Sequence, residues 1–115
     1  MRKVTLMLAA MAVMVSLFAA AAYAAEIWGT SQNDDIYETN QDDNIFGRQG
    51  NDYISAVKYE GDTDKVDGNR DNDTISVRDD DNKDSIDGGQ DFDACFVDSG
   101  DTYINCEMVN GFTIR

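Results

Sequence analysis

The sequence predicts an all-β fold built from a short repeat, and three observations support this prediction. Apolar residues recur at nine-residue intervals, and an aspartate precedes nearly all of them by two positions. Glycine, asparagine and aspartate, which favour turns, fill the intervals between them. Aspartate outnumbers glutamate by 19 to 4, which favours turns and oxygen-ligand sites over helices.

The first 24 residues are predicted to be a secretory signal. Arg2-Lys3 precedes the apolar run 4–18, and the segment ends in Ala22-Tyr23-Ala24, a small-residue cleavage pattern. An uncleaved membrane anchor is the alternative, because the apolar stretch reaches the lower limit of length for crossing a bilayer. Cleavage leaves residues 25–115 as a secreted, extracellular domain.

The charge of this mature domain restricts its partners. Removing the two N-terminal basic residues leaves seven basic residues against 23 acidic ones, a net charge of −16. Such a chain repels nucleic acid and anionic membranes, so cations are the expected partners. The sequence contains no histidine, which excludes His-dependent catalysis and Cys/His zinc sites, and we do not expect an enzyme.

Apolar residues at a fixed spacing define the repeat. They are Ile27, Ile36, Ile45, Ile54, Val66, Ile75, Ile86 and Cys95. Insertions of three residues before Val66 and of two before Ile86 interrupt the spacing. An aspartate stands two places before each of these residues except the first: Asp34, Asp43, Asp52, Asp64, Asp73, Asp84 and Asp93. Solubility does not require this fixed phase, so the phase indicates a binding site.

Written as nonapeptides, the repeats include GTSQNDDIY at 29–37, GRQGNDYIS at 47–55 and GGQDFDACF at 88–96. They resemble the calcium-binding nonapeptide GGxGxDxUx of RTX or hemolysin-type proteins, over nearly all of residues 26–109. The resemblance implies a parallel β-roll, a β-solenoid of degenerate nine-residue repeats in which successive strands fall on opposite sheets. One wall would stack Ile27, Ile45, Val66 and Ile86, and the other Ile36, Ile54, Ile75 and Cys95.

The resemblance also implies calcium sites. In that family calcium lies between neighbouring turns, held by the motif aspartates of repeats i and i+2 and by turn carbonyls. Carried over to this sequence, the seven phased aspartates become the metal ligands and Ca²⁺ the cofactor. The resulting pairs are Asp34 with Asp52, Asp43 with Asp64, Asp52 with Asp73, Asp64 with Asp84, and Asp73 with Asp93. Calcium between coils would offset the negative charge and couple folding to binding.

The sequence also departs from the family pattern. The fourth-position glycine survives only as Gly50, and its replacements are expected to resist the positive φ that this turn requires, although Asp71 and Asp91 can instead add a carboxylate. The insertions are expected to bulge their turns and weaken the two pairs that include Asp64. The run 79–82 (DDDN) resembles the start of an EF-hand loop without its Gly and Glu, and is expected to be a solvated insertion.

The two cysteines, Cys95 and Cys106, both lie in the predicted exported part, so an intramolecular disulfide is expected. Because Cys95 occupies an inward position, the bridge would close the open end of the solenoid, where core and strand edges are otherwise exposed. The apolar residues that follow are expected to complete this cap: Met108, Val109, Phe112 and Ile114.

Other interpretations remain open. The aspartates can serve only as turn caps and solubilising charges in a calcium-independent structural or adhesive solenoid, with a cell-surface or protein partner that the sequence does not identify. An ice-binding solenoid would require a regular threonine array, which Thr30 and Thr39 do not continue. Outward aromatic residues such as Trp28 and Phe46 are expected to pack along neighbouring strands rather than to form a ligand site.

Overall fold

The computed structural model describes residues 25–114, and within this range the fold is all-β, as the sequence predicts. The predicted signal, residues 1–24, lies outside the described residues. No helix in the described range has the length and apolar character needed to cross a bilayer. The strands are β1 (Ala25–Trp28), β2 (Asp35–Tyr37), β3 (Asp43–Phe46), β4 (Tyr53–Ser55), β5 (Lys65–Asp67), β6 (Thr74–Ser76), β7 (Ser85–Asp87), β8 (Ala94–Phe96), β9 (Thr102–Ile104), β10 (Met108–Val109) and β11 (Phe112–Thr113).

Successive strands alternate between two sheets, which makes the chain a solenoid. One sheet has the order β1-β3-β5-β7-β9, and the other runs β2-β4-β6-β8-β10 with β11 at its end. All pairings are parallel except the terminal one between β10 and β11. This arrangement confirms the predicted parallel β-roll architecture, with each coil adding one short strand to each sheet.

The register confirms both predicted walls. In one sheet Ile27 aligns with Ile45, and the column continues through Val66 and Ile86. In the other sheet the column runs through Ile36, Ile54, Ile75 and Cys95. Side chains alternate across a strand, so the central residue of each three-residue strand points inward and its neighbours point outward. The core therefore consists of two columns of inward side chains, one column from each sheet.

The turns lie on two edges that differ in length and composition. The glycine edge comprises turns 29–34, 47–52, 68–73 and 88–93, each six residues long and each beginning with glycine. The inserted edge comprises turns 38–42, 56–64, 77–84 and 97–101, and both insertions of the repeat fall on it. These two names are used below for the two edges.

Close stacking explains the glycines of the first edge. A Cβ on Gly47 would lie 2.8 Å from the carbonyl oxygen of Gly68 in the next coil and 2.7 Å from Oδ2 of Asp52. On the inserted edge the same repeat position carries buried side chains, including Ala56 and Val77, which extend the core. The two edges therefore use one repeat position differently, for coil contact on one side and for apolar packing on the other.

Several turn residues adopt positive φ without being glycine. Asp71 and Asp91 have φ of 75° and 77°, so the expectation that replacements of the fourth glycine resist this conformation is wrong for these two residues. Aspartate tolerates the left-handed region better than most residues because its short carboxylate can hydrogen-bond locally. Here Oδ2 of Asp71 accepts the N–H of Gly50 at 2.8 Å, and Oδ2 of Asp91 accepts the N–H of Asp71 at 3.1 Å.

The expected disulfide is present and closes the C-terminal end. Cys95 and Cys106 are bonded, with their Cα atoms 6.0 Å apart, and both are buried. Val109 aligns with Cys95 in the next strand and extends the apolar column. The prediction of the cap is wrong for Phe112 and Ile114, which are 75% and 44% exposed because the final hairpin turns away from the core.

Candidate metal sites

The seven predicted ligands form two ladders, one on each edge. Asp34, Asp52, Asp73 and Asp93 stack on the glycine edge, whereas Asp43, Asp64 and Asp84 stack on the inserted edge. In all five predicted pairs, Oδ1 of the later aspartate accepts the backbone N–H of the earlier one, at 2.7 to 2.8 Å. The structure thus places each pair in contact, through a carboxylate and an amide.

Both ladders continue beyond the residues that the sequence analysis named. Oδ1 of Asp101 accepts the N–H of Asp84 at 3.1 Å, and Oε1 of Glu107 accepts the N–H of Asp93 at 2.7 Å. Each acid stands two places before a strand residue in register with the core columns, Tyr103 and Val109. The fixed offset of two positions could have identified both acids in the sequence. The spacing between successive acids, however, shortens to eight residues from Asp93 to Asp101 and to six from Asp101 to Glu107.

The second carboxylate oxygen of most ladder members has no hydrogen-bond partner. Oδ2 is buried and unpaired in Asp52, Asp64, Asp73, Asp84 and Asp93. The first coil differs because Oδ2 of Asp34 and of Asp43 accepts the N–H of Thr30 and of Thr39, respectively. Burying an acceptor without a partner costs about 1–3 kcal/mol, and more if it is charged. The buried Oδ2 atoms of the other five ladder aspartates therefore lack a partner, and a bound cation can serve as one.

Burial dominates the electrostatics of these carboxyls. It raises the pKa of Asp64 to about 8 and the pKa of Asp84 to about 7, and neighbouring carboxylates raise both further. Burial likewise raises the pKa of Asp73 and of Asp93 to about 7 on the glycine edge. The ladder hydrogen bonds lower these values but do not outweigh the desolvation. Without a cation, these carboxyls of the folded chain therefore keep their protons to a higher pH than exposed aspartates do.

Three carboxylates meet at the start of the inserted edge. Ligand oxygens of Glu38, Asp43 and Asp64 lie within 4.8 Å of one another, and Asp43 and Asp64 are fully buried. Oε1 of Glu38 accepts the backbone N–H groups of Lys58 and Tyr59 in the next coil. Its other oxygen, Oε2, is buried without a partner, and burial raises the pKa of Glu38. The group therefore combines three acidic side chains with two unpaired oxygens, Glu38 Oε2 and Asp64 Oδ2.

Sequence reasoning missed Glu38 as a candidate ligand. It occupies the repeat position that holds glycine on the glycine edge and Ala56, Val77 or Val97 in the other turns of the inserted edge, so an acidic residue at this position was the available signal. A glutamate side chain is tolerated there because the inserted edge has room for side chains at this position, as Ala56 in the next coil also shows.

Two further acidic groups lie on the inserted edge. Ligand oxygens of Asp62, Asp79 and Asp81 lie within 4.8 Å of one another, and Asp81 also belongs to a group with Asp84 and Asp101. The expectation of a solvated insertion is wrong for Asp79, which is 4% exposed. Burial raises the pKa of Asp62 and of Asp79 to about 6. All three acidic groups can hold a metal ion.

The insertions do not weaken the pairs that flank them. The distance from the amide nitrogen of Asp43 to Oδ1 of Asp64 is 2.8 Å, and that from Asp64 to Asp84 is 2.7 Å. The expected weakening does not occur in these amide–carboxylate contacts, whose lengths match those of the contacts on the glycine edge. Oδ1 of Asp42 also fixes the inserted turn by accepting the N–H of Thr63 at 2.8 Å.

The glycine edge is organised by neutral hydrogen bonds as well as by its aspartates. Oδ1 of Asn33 accepts the N–H of Asn51, and the pattern repeats from Asn51 to Asn72 and from Asn72 to Phe92, at 2.7 to 2.9 Å. None of the three acidic groups found among residues 25–114 lies on this edge. Its turns are therefore joined coil to coil by amide side chains.

Comparison of the chain with protein-family models, with curated proteins and with solved structures found no match.

Proposed function

We propose that the chain is an exported calcium-binding module whose folding is coupled to ions bound along the inserted edge. In this proposal it is a small secreted relative of the nonapeptide-repeat proteins that its repeats resemble. It acts as a binding module and not as an enzyme.

The observation that carries the proposal is the group formed by Glu38, Asp43 and Asp64. Two of its oxygens are buried without a partner, and its members form no ion pair with a lysine or arginine in the described part of the chain. Adjacent buried carboxylates repel each other strongly in a medium of low dielectric constant. A divalent cation removes this repulsion and gives the unpaired oxygens a partner.

The donor chemistry favours calcium among divalent cations. Every side-chain donor in the three acidic groups is a carboxylate oxygen, and none is nitrogen or sulfur. Hard oxygen donors suit Ca²⁺ and Mg²⁺, and Ca²⁺ accepts more ligands in less regular geometry. Irregular turns of five, nine, eight and five residues on the inserted edge fit that tolerance.

Linkage connects binding to folding. The separated aspartates of an unfolded chain bind calcium weakly, so an ion held by the folded turns stabilises the fold by RT ln(1 + [Ca²⁺]/Kd). Extracellular calcium modules commonly have affinities of about 10⁻⁴ to 10⁻³ M, which suits the calcium concentration outside cells. The predicted signal and the disulfide support export, because disulfides persist in oxidising compartments.

The proposal is tested on the chain without its first 24 residues. We expect circular dichroism at neutral pH to show a strong β signal in millimolar calcium, and a weaker signal with a lower melting temperature in chelator. Calorimetric titration should give a small whole number of sites. Equal β signal and equal melting temperature in the two conditions would contradict calcium-coupled folding.

A matched pair of variants locates the site. Asp64→Asn keeps the oxygen that accepts the N–H of Asp43 but removes a charge from the Glu38 group, so we expect at least a tenfold loss of calcium affinity. Asp80→Asn removes one charge from an exposed side chain on the same edge, and we expect wild-type affinity. Equal losses in both variants would indicate diffuse ion condensation around the acidic chain.

A second candidate is a calcium-independent structural or adhesive solenoid. The asparagine ladder through Asn33, Asn51 and Asn72 favours it, because these hydrogen bonds join coils without any ion. A protein of this kind would keep its melting temperature in chelator, which distinguishes it from the first candidate in a single experiment.

A further inference from the structure

The two insertions of the repeat stack directly on each other. They occupy neighbouring turns of the inserted edge, 56–64 and 77–84. The N–H of Gly61 in the first turn donates to Oδ2 of Asp81 in the second at 2.8 Å, and Nζ of Lys83 donates to the carbonyl of Gly61 at 3.1 Å. Two interruptions that look unrelated in the sequence thus form one structural unit.

Asp62 lies inside this unit and has no hydrogen-bonding function there. Its side chain is more than nine-tenths buried, and neither Oδ1 nor Oδ2 accepts a hydrogen bond from another residue. Its carboxylate lies within 4.8 Å of ligand oxygens of Asp79 and Asp81. Oδ1 of Asp79 accepts the N–H of Asp81 at 3.1 Å, whereas its Oδ2 is also buried and unpaired. Asp62 and Asp79 therefore contribute three buried, unpaired oxygens to this acidic group.

No basic side chain neutralises this group within residues 25–114. Lys83, the cation that links the two turns, donates to a carbonyl oxygen and forms no ion pair with any of the three carboxylates. A buried, unpaired carboxylate is among the most costly features that a fold can contain, and an asparagine of the same shape would avoid the charge. The group therefore lacks a counter-charge, which a bound cation can supply.

We propose that the two insertions together build a divalent-cation site, with Asp62, Asp79 and Asp81 as ligands and calcium as the ion. The site contains none of the seven phased aspartates, so it belongs to the insertions and not to the repeat. An ion held there joins the two longest turns of residues 25–114 and adds to the exposed hydrogen bonds of Gly61 and the buried bond between Asp64 and Asp84. The site does not depend on calcium at the repeat positions.

The test uses two charge-removing variants, one in each inserted turn. We expect Asp62→Asn and Asp79→Asn each to lose about one molar equivalent of calcium in calorimetric titration of the purified protein with CaCl₂. In chelator we expect both variants to melt roughly 4–8 °C higher than the wild type, because a repulsive buried charge is gone. The stabilisation produced by calcium should be smaller than in the wild type.

Matched controls lie in the same two turns. Glu60→Gln and Asp80→Asn each remove one charge from an exposed side chain, and both should keep the wild-type stoichiometry. Unchanged calcium binding by Asp62→Asn and Asp79→Asn, with Asp64→Asn still impaired, would overturn the insertion site and leave the repeat site standing. A wild-type chain that binds no calcium would overturn both. A variant less stable than the wild type in chelator would also overturn the insertion site, since the carboxylate would then support the fold without an ion.

Discussion

The two edges of the solenoid solve the same stacking problem with different chemistry. On the glycine edge, six-residue turns stack closely enough that Gly68 has room for no side chain, and asparagine amides pair with backbone N–H groups from coil to coil. Both edges bury ladder oxygens without a partner, but on the inserted edge the longer turns also bring carboxylates together in groups of three. The difference teaches that turn length decides where carboxylates cluster, and therefore where the need for a counter-ion is greatest.

The largest expected effect is the pH dependence of the calcium-free protein. Buried carboxyls such as Asp64 and Asp73 have a pKa of about 8 and about 7 in the folded chain, against 3.8 for an unburied aspartate. Between pH 4 and pH 8 the folded state therefore binds more protons than the unfolded state. The stability that these groups contribute is fully present below about pH 4 and is lost as the pH rises through 7 to 8. For each group, a difference of one between its folded and unfolded pKa values changes the free energy of unfolding by about 1.4 kcal/mol.

Thermal melts in chelator at pH 5 and pH 8 measure this effect, and calcium should reduce the difference because it replaces the protons. Amide hydrogen exchange, corrected for its intrinsic pH dependence, then separates the edges. Protection in turn 56–64, which carries Asp64, should continue to fall up to about pH 8, whereas the loss in turn 68–73 should end near pH 7. An equal loss of protection on both edges would remove the distinction between them.

An intermediate effect is expected from steric substitution on the glycine edge. Gly68→Ala would place a Cβ 2.6 Å from the carbonyl oxygen of Gly88 and 2.5 Å from Oδ2 of Asp73, so the coils must separate. We expect a loss of about 1–3 kcal/mol in the free energy of unfolding, measured with denaturant in saturating calcium.

The reciprocal variant on the inserted edge serves as the control for this substitution. Ala56→Gly shortens a buried side chain at the same repeat position and should cost about 1 kcal/mol through lost packing and added chain entropy. If Gly68→Ala were no more destabilising than Ala56→Gly, close coil contact would not distinguish the glycine edge.

The smallest effect is expected from the asparagine ladder. Asn51→Ala removes the acceptor for the N–H of Asn72 at an exposed position, and we expect a loss of about 0.5–1.5 kcal/mol. Because the ladder uses no ion, the calcium affinity of this variant should equal that of the wild type. A clear drop in calcium affinity would show that the two edges are energetically coupled.

Sequence reasoning reached the core more fully than the sites. The columns through Ile45 and Ile54 were predictable because a nine-residue period with a central apolar residue in each strand leaves one register. The disulfide followed from two cysteines in a chain that is predicted to be exported. Asp101 and Glu107 were missed because the final coils shorten, although both keep the repeat's phase relative to their strands.

The group of Asp62, Asp79 and Asp81 was beyond sequence reasoning for a different reason. Its members stand in two separate insertions, and insertions have no phase from which a contact can be inferred. Asp79 was predicted to be solvated because it lies in the polar run 79–82. In the structure it is buried beside the turn of the adjacent coil.

The sequence by itself determined the repeat, its inward apolar residues and the fixed phase of its aspartates, because these are properties of spacing along the chain. The resemblance of the repeats to the calcium-binding nonapeptide implied the alternation of sheets and the stacking of aspartates. Only the tertiary structure decided which carboxylates meet across coils and which of their oxygens remain without a partner. Side-chain contacts between turns depend on how far each turn departs from the regular path, and spacing along the chain does not encode that departure.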